Sequence, residues 1–136
     1  MTDSSVRESP PRAAWRPTSA GLLTALLVGS GSLHFIVPKP YAGIVPRWLG
    51  SPYGWVYASG VAELACAAAV AWPRTRRRGA QASAALFVAV FPANIQMAVS
   101  SVGKSGWYEA AAFARLPLQA PLIWWALKVA NRAEST

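Results

Sequence analysis

The stretch Leu86-Phe87-Val88-Ala89-Val90-Phe91-Pro92-Ala93-Asn94-Ile95-Gln96 decides how this chain is read. Its apolar run is what lipid requires, yet it holds a proline that cannot donate to the helical ladder and two side-chain amides. Backbone freed in lipid must be satisfied inside a bundle, so the stretch predicts a span that bends where polar groups gather. Working outward, residues 80–102 form one of four apolar runs, the others covering residues 18–37, 55–72 and 110–130. Each run is close to the ~20 residues needed to cross a hydrocarbon core of about 30 Å.

Composition agrees with that solvent. The 136 residues are 54% hydrophobic and 13% charged, against about 25% charged in an average soluble domain. A net charge of +8 could suit nucleic acid, but a binder of that kind carries its basic residues on one face or stripe. Here they lie between the apolar runs, so no nucleic-acid partner is expected. Seven tryptophans suit anchoring at membrane interfaces. Cys66 is the only cysteine, which excludes an intrachain disulfide or a CxxC redox pair, and the isolated His34 is a poor basis for haem or metal.

Residues 1–17 are polar, with Arg7, Arg12 and Arg16 and three prolines, and read as a disordered cytoplasmic arm in which Trp15 marks the approach to the headgroups. The first run lacks a small-x-small cleavage site and ends at His34-Phe35-Ile36-Val37-Pro38, so it reads as a retained anchor. Prolines 38, 40, 46 and 52 with glycines 43, 50 and 54 predict a structured, non-helical connection to the second run, rich in aromatic residues. The second run stops at Pro73 before the basic loop Arg74-Thr75-Arg76-Arg77-Arg78, and residues 131–136 form a charged cytoplasmic tail. Basic residues concentrate in the arm, that loop and the tail. By the positive-inside rule both termini face the cytoplasm. The expected fold is an all-α, four-helix transmembrane bundle, multi-pass in a bacterial cytoplasmic (inner) membrane, with the lipid bilayer as its first partner.

A rise of about 1.5 Å per residue places His34, Glu63, Asn94 and Arg115 in the outer part of their respective spans. Ser30 precedes His34 by four residues, Ser59 precedes Glu63 by four, and Gln119 follows Arg115 by four, so each ionisable group shares a helix face with a second hydrogen-bonding group. The expected polar pocket comprises His34, Ser59, Glu63, Asn94, Arg115 and Gln119. Gly29 and Gly31 beside it favour close helix approach. A charge at the centre of an inserted helix costs about 2.5–3.5 kcal/mol, while each large apolar residue returns only about 0.3–0.6 kcal/mol. The fourth span is therefore marginal alone. An ion pair between Glu63 and Arg115, direct or through water, would contribute on the order of 4 kcal/mol at an effective dielectric near 20, partly offset by desolvation. Pro92, Pro117 and Pro121 are the expected kinks. The freed carbonyl of Val88 would be satisfied by Asn94 or Gln96 nearby, by water or by a neighbouring helix.

Two readings of this layer stand together: a pocket for a quinone headgroup, a small anion or a proton, and an ion pair that only specifies helix pairing.

The segments Gly31-Ser32-Leu33-His34-Phe35, Val56-Tyr57-Ala58-Ser59-Gly60 with Glu63, Val90-Phe91-Pro92-Ala93-Asn94 and Arg115-Leu116-Pro117-Leu118-Gln119, with Pro38, Tyr41, Pro46, Trp124 and Trp125, resemble the DoxX-like family of small four-span bacterial membrane proteins. The resemblance implies a four-helix bundle and, as in some relatives, a place in a membrane-associated redox complex with quinone or a soluble redox partner. The chain holds no self-sufficient electron carrier, so it is expected to be at most a non-autonomous oxidoreductase subunit, with no intrinsic cofactor and quinone as the implied ligand. The competing expectation is a non-catalytic scaffold or assembly factor. Association into a homo-oligomer is compatible with either.

Overall fold

A computed structural model describes residues 18–134; the expected arm over residues 1–17, including Trp15, and the last two residues of the tail lie outside that range. The chain is all-helical: α1 (Ser19–Ile36), α2 (Pro38–Ala42), α3 (Pro52–Ala71), α4 (Arg76–Ala89), α5 (Phe91–Ser101) and α6 (Gly106–Glu134), with a 3-10 turn at Arg47–Leu49. No strand occurs among the described residues. Three stretches, Ser19–Ile36, Pro52–Ala71 and Arg76–Ser101, are long and apolar enough to cross a membrane. Helix α6 is longer than any of these, but Arg115, Gln119 and its two internal prolines dilute it below that apolarity.

Local chemistry sets the boundaries. Thr18 caps α1 by accepting a bond from Gly21 N–H at 3.0 Å, which satisfies one of the donors a helix start leaves free. Ser51 does the same for α3 through Gly54 N–H at 3.4 Å, followed by Pro52 in the first turn. There the missing proline donor costs nothing. The second span therefore starts three residues before the expected 55. The connection expected to be non-helical contains α2 and the 3-10 turn, because Pro38 also stands in the first turn of α2. Arg76, Arg77 and Arg78, expected in a loop, instead open α4, since arginine is a good helix former.

At Pro92 the third span separates into two helices. Val90 N–H donates to Leu86 O at 3.0 Å and Asn94 N–H to Val90 O at 3.1 Å, while Pro92 has no donor to offer Val88 O. Helix α6, by contrast, runs unbroken through Pro117 and Pro121.

Packing divides the molecule lengthwise. Helix α1 packs chiefly on α3 and α4 on α6, α3 joins the pairs by packing on α4, and α5 follows α6 and scarcely meets α1 or α3. At the end carrying Arg74 and the helix α6 terminus, Leu23, Leu27, Ala67, Val70, Ala80, Ala84, Ala126, Val129 and Ala130 close a tight core. Small residues allow this: a Cβ on Gly79 would lie 2.7 Å from the Ala69 carbonyl carbon and the Val70 nitrogen. Trp125 Nε1–H donates to Ser19 Oγ at 2.7 Å, and Arg77 pairs with Glu134 at 3.2 Å. At the opposite end, where α5 leaves with α6, the two helix pairs stand apart.

Candidate functional site: a polar cavity between two helix pairs

The gap between the pairs is a cavity of about 590 Å³, within the range of small-ligand sites, about 300–1,000 Å³. All six residues expected to form a pocket line it: His34 from α1, Ser59 and Glu63 from α3, Asn94 from α5, Arg115 and Gln119 from α6. Leu26, Leu27, Val56, Phe87, Leu118 and Leu122 supply apolar walls, and Ile44, Val45, Pro46, Trp48 and Leu49 of the α1–α3 connection extend across one side. Its lining is thus mostly apolar with a few polar groups.

His34 and Glu63 face each other because α1 and α3 cross where both carry glycine. A Cβ on Gly60 would lie 2.6 Å from Phe35 Cε2 and 2.9 Å from His34 Cβ, and one on Gly31 would lie 3.1 Å from Glu63 Cβ. A side chain at Gly60 would force His34 or Phe35 to shift, and one at Gly31 would press on Glu63. His34 and Glu63 are 8% and 7% exposed, and His34 Nε2 stands 3.9 Å from Glu63 Oε1. That is ion-pair range and too long for a hydrogen bond. His34 Nδ1 lies 2.8 Å from Ser30 O. The imidazole also stacks on Tyr41, ring centroids 4.2 Å apart. Glu63 Oε2 is buried and makes no hydrogen bond, although the Ser30 side chain faces the same carboxylate. An unsatisfied buried oxygen costs about 1–3 kcal/mol, more when charged.

The opposite wall is internally bonded. Asn94 Nδ2–H donates to Gln119 Oε1 at 2.9 Å, and Gln119 Nε2–H donates to Phe87 O. The α6 amide therefore caps a carbonyl beside the α4–α5 break and holds α5 to α6. Gln96, expected nearer the break, instead bonds Ser100 Oγ at 3.0 Å.

Arg115 and Glu63, expected to pair directly or through water, form no direct salt bridge. The Arg115 guanidinium Nη1 lies 3.5 Å from Met97 Sδ on α5, on the exposed side of α6, while Glu63 turns to His34. The reason is the pairing of helices: α3 faces α1 and α6 faces α4 and α5, so the two side chains reach the cavity from opposite walls. Among the described residues no group of three or more His, Cys, Asp or Glu side chains could hold a metal. Tyr41 and the Phe87 carbonyl were not among the expected site residues. Tyr41 reads as interfacial by composition, and only the helical fold of Pro38–Ala42 brings its ring onto His34.

A family model described as Domain of unknown function (DUF8561) matches residues 23–130, from the first long helix to the end of the core. No curated protein and no solved structure matches the chain.

Proposed function

The chain belongs to the family described as Domain of unknown function (DUF8561), and we propose that it is a four-span integral membrane protein, both termini cytoplasmic, whose cavity holds a quinone-type ring. It would serve as a non-autonomous subunit of a membrane-associated redox complex. The observation that carries this reading is the buried Glu63, whose Oε2 has no hydrogen-bond partner, in the lining of an apolar-walled cavity large enough for a substituted ring. Sequence resemblance to DoxX-like proteins points the same way. The residues fit such a group: His34, Glu63, Arg115 and Asn94 provide polar contacts on two sides, and Val56, Leu118 and Leu122 provide apolar faces. A bound quinone would supply two-electron carriage, and the chain's own side chains bind and orient it. Crossing by α6 is supported by its 29 residues, about 43 Å at ~1.5 Å per residue. Its packing on α4 and α5 shelters Gln119.

The test is quinone-linked turnover of the complex containing this chain, with Glu63→Gln and Arg115→Gln at unchanged membrane abundance. A fall of about tenfold or more is expected for Glu63→Gln; unchanged turnover in both would sink the proposal. A second reading, a scaffold whose polar layer is structural, is favoured by one specific observation, the Asn94–Gln119–Phe87 chain that repairs the helix break. It requires that Glu63→Gln lower abundance and leave turnover per molecule unchanged.

A further inference from the structure

Hydrogen-bond roles around Glu63 restrict what the cavity can take. The Ser30 carbonyl only accepts, so His34 Nδ1 carries the proton in their 2.8 Å contact. In the neutral ring Nε2 is then an acceptor, and it faces an oxygen of Glu63, also an acceptor when ionised, across 3.9 Å. The second oxygen, Oε2, makes no hydrogen bond, although the Ser30 hydroxyl faces the carboxylate. The carboxylate on this wall thus keeps an unused acceptor. Across the cavity the need is reversed: Arg115 has only donors, and the Asn94 amide donates to Gln119. Charge follows the same division, because the Arg115 guanidinium balances the Glu63 carboxylate in one cavity lining. A cationic ligand would meet Arg115 and an anionic one Glu63, so a neutral molecule suits both walls.

We infer that the preferred ligand is a neutral amphiphile bearing a phenol-type hydroxyl, which donates to Glu63 Oε2 while its ring lies among the apolar walls. This rests on the cavity being a ligand site, and it specifies the hydrogen-bonding form that the site selects. An acceptor-only ring of the same size, an oxidised quinone included, leaves Glu63 Oε2 unsatisfied and is discriminated against by the loss of a bond to a charged group, so of a quinone couple the site favours the hydroquinone.

The full chain in lipid nanodiscs separates these ideas with three probes, each corrected for partition into empty nanodiscs: 4-heptylphenol, its methyl ether, and a short-tailed benzoquinone. The phenol should bind at least about tenfold more tightly than the ether, and Glu63→Gln should reduce that preference to less than about threefold. Should Glu63→Gln not accumulate, a shift of the wild-type carboxyl infrared band with the phenol, and not with the ether, makes the same assignment. Phenol and ether binding within about threefold of each other would overturn the inference and leave the cavity reading standing on benzoquinone binding. A preference that persists in Glu63→Gln, or no band shift, would overturn the assignment to Glu63. If none of the three binds above the empty-nanodisc background, the ligand reading and the inference fall together.

Discussion

At the scale of single residues, the glycines separate positions where hydrogen is required from positions where it is incidental. Gly79 sits with the Ala69 and Val70 backbone 2.7 Å from where a Cβ would stand, and backbone cannot swing aside as a side-chain end can. Gly79→Ala should destabilise the protein by about 1–3 kcal/mol through overpacking, seen as a lower thermal midpoint in detergent. Gly29, with nothing within 4 Å of its would-be Cβ, should gain about 0.5–1 kcal/mol on replacement by alanine. Equal midpoints for the two variants would contradict the packing described. Glu63 differs from both: it is buried, yet one of its oxygens makes no bond, so the carboxylate is a poor contributor to stability. Glu63→Gln should hold its thermal midpoint near or above wild type while ligand selectivity declines. A large loss of stability would show that the carboxylate is structural.

At the scale of elements, the break between α4 and α5 creates the space and Gln119 of α6 stabilises it. A proline inside a helix costs about 3 kcal/mol through its missing donor and its clash with the preceding turn. Pro92→Ala should let α4 and α5 join, raise the thermal midpoint and weaken binding of the probes at least several-fold. Binding and stability that both rise would mean that the break does not shape the cavity. Gln119→Leu removes both the Asn94 bond and the donor to Phe87 O, leaving polar groups unsatisfied at the break. The expected loss is about 2 kcal/mol, measurable as a lower midpoint. Asn94→Leu leaves the Phe87 contact in place and should cost less. Helix α6 accommodates Pro117 and Pro121 without interruption, so proline in these apolar sequences is not by itself a predictor of a break.

At the scale of the whole molecule, one end is closed by small residues and ties between chain segments, while the other opens into a cavity. The proposed orientation places the arginine-bearing end in the cytoplasm. In a Cys66→Ala background, Lys104→Cys should react with an impermeant maleimide added to intact cells, and Arg74→Cys should react only after permeabilisation. The reverse pattern would invert the topology. Much of this was legible in the sequence: the run lengths specify apolar helices, and depth along the runs together with i to i+4 spacing points to His34, Ser59, Glu63, Asn94, Arg115 and Gln119, which line one cavity. Those properties are local. They depend on residue type and on a rise that every helix shares. Which polar group meets which was decided only by tertiary structure, because it depends on helix neighbours. Glu63 makes no direct bridge to Arg115 and faces His34, since the glycine crossing draws α1 and α3 together. Gln119 reaches 32 residues back to the Phe87 carbonyl beside the proline break, and Gln96, a nearer candidate for the Val88 carbonyl, is engaged with Ser100. Sequence therefore determined that Phe91 to Asn94 would interrupt a span among polar groups; the parting of α5 from α1 and α3 made that interruption a cavity.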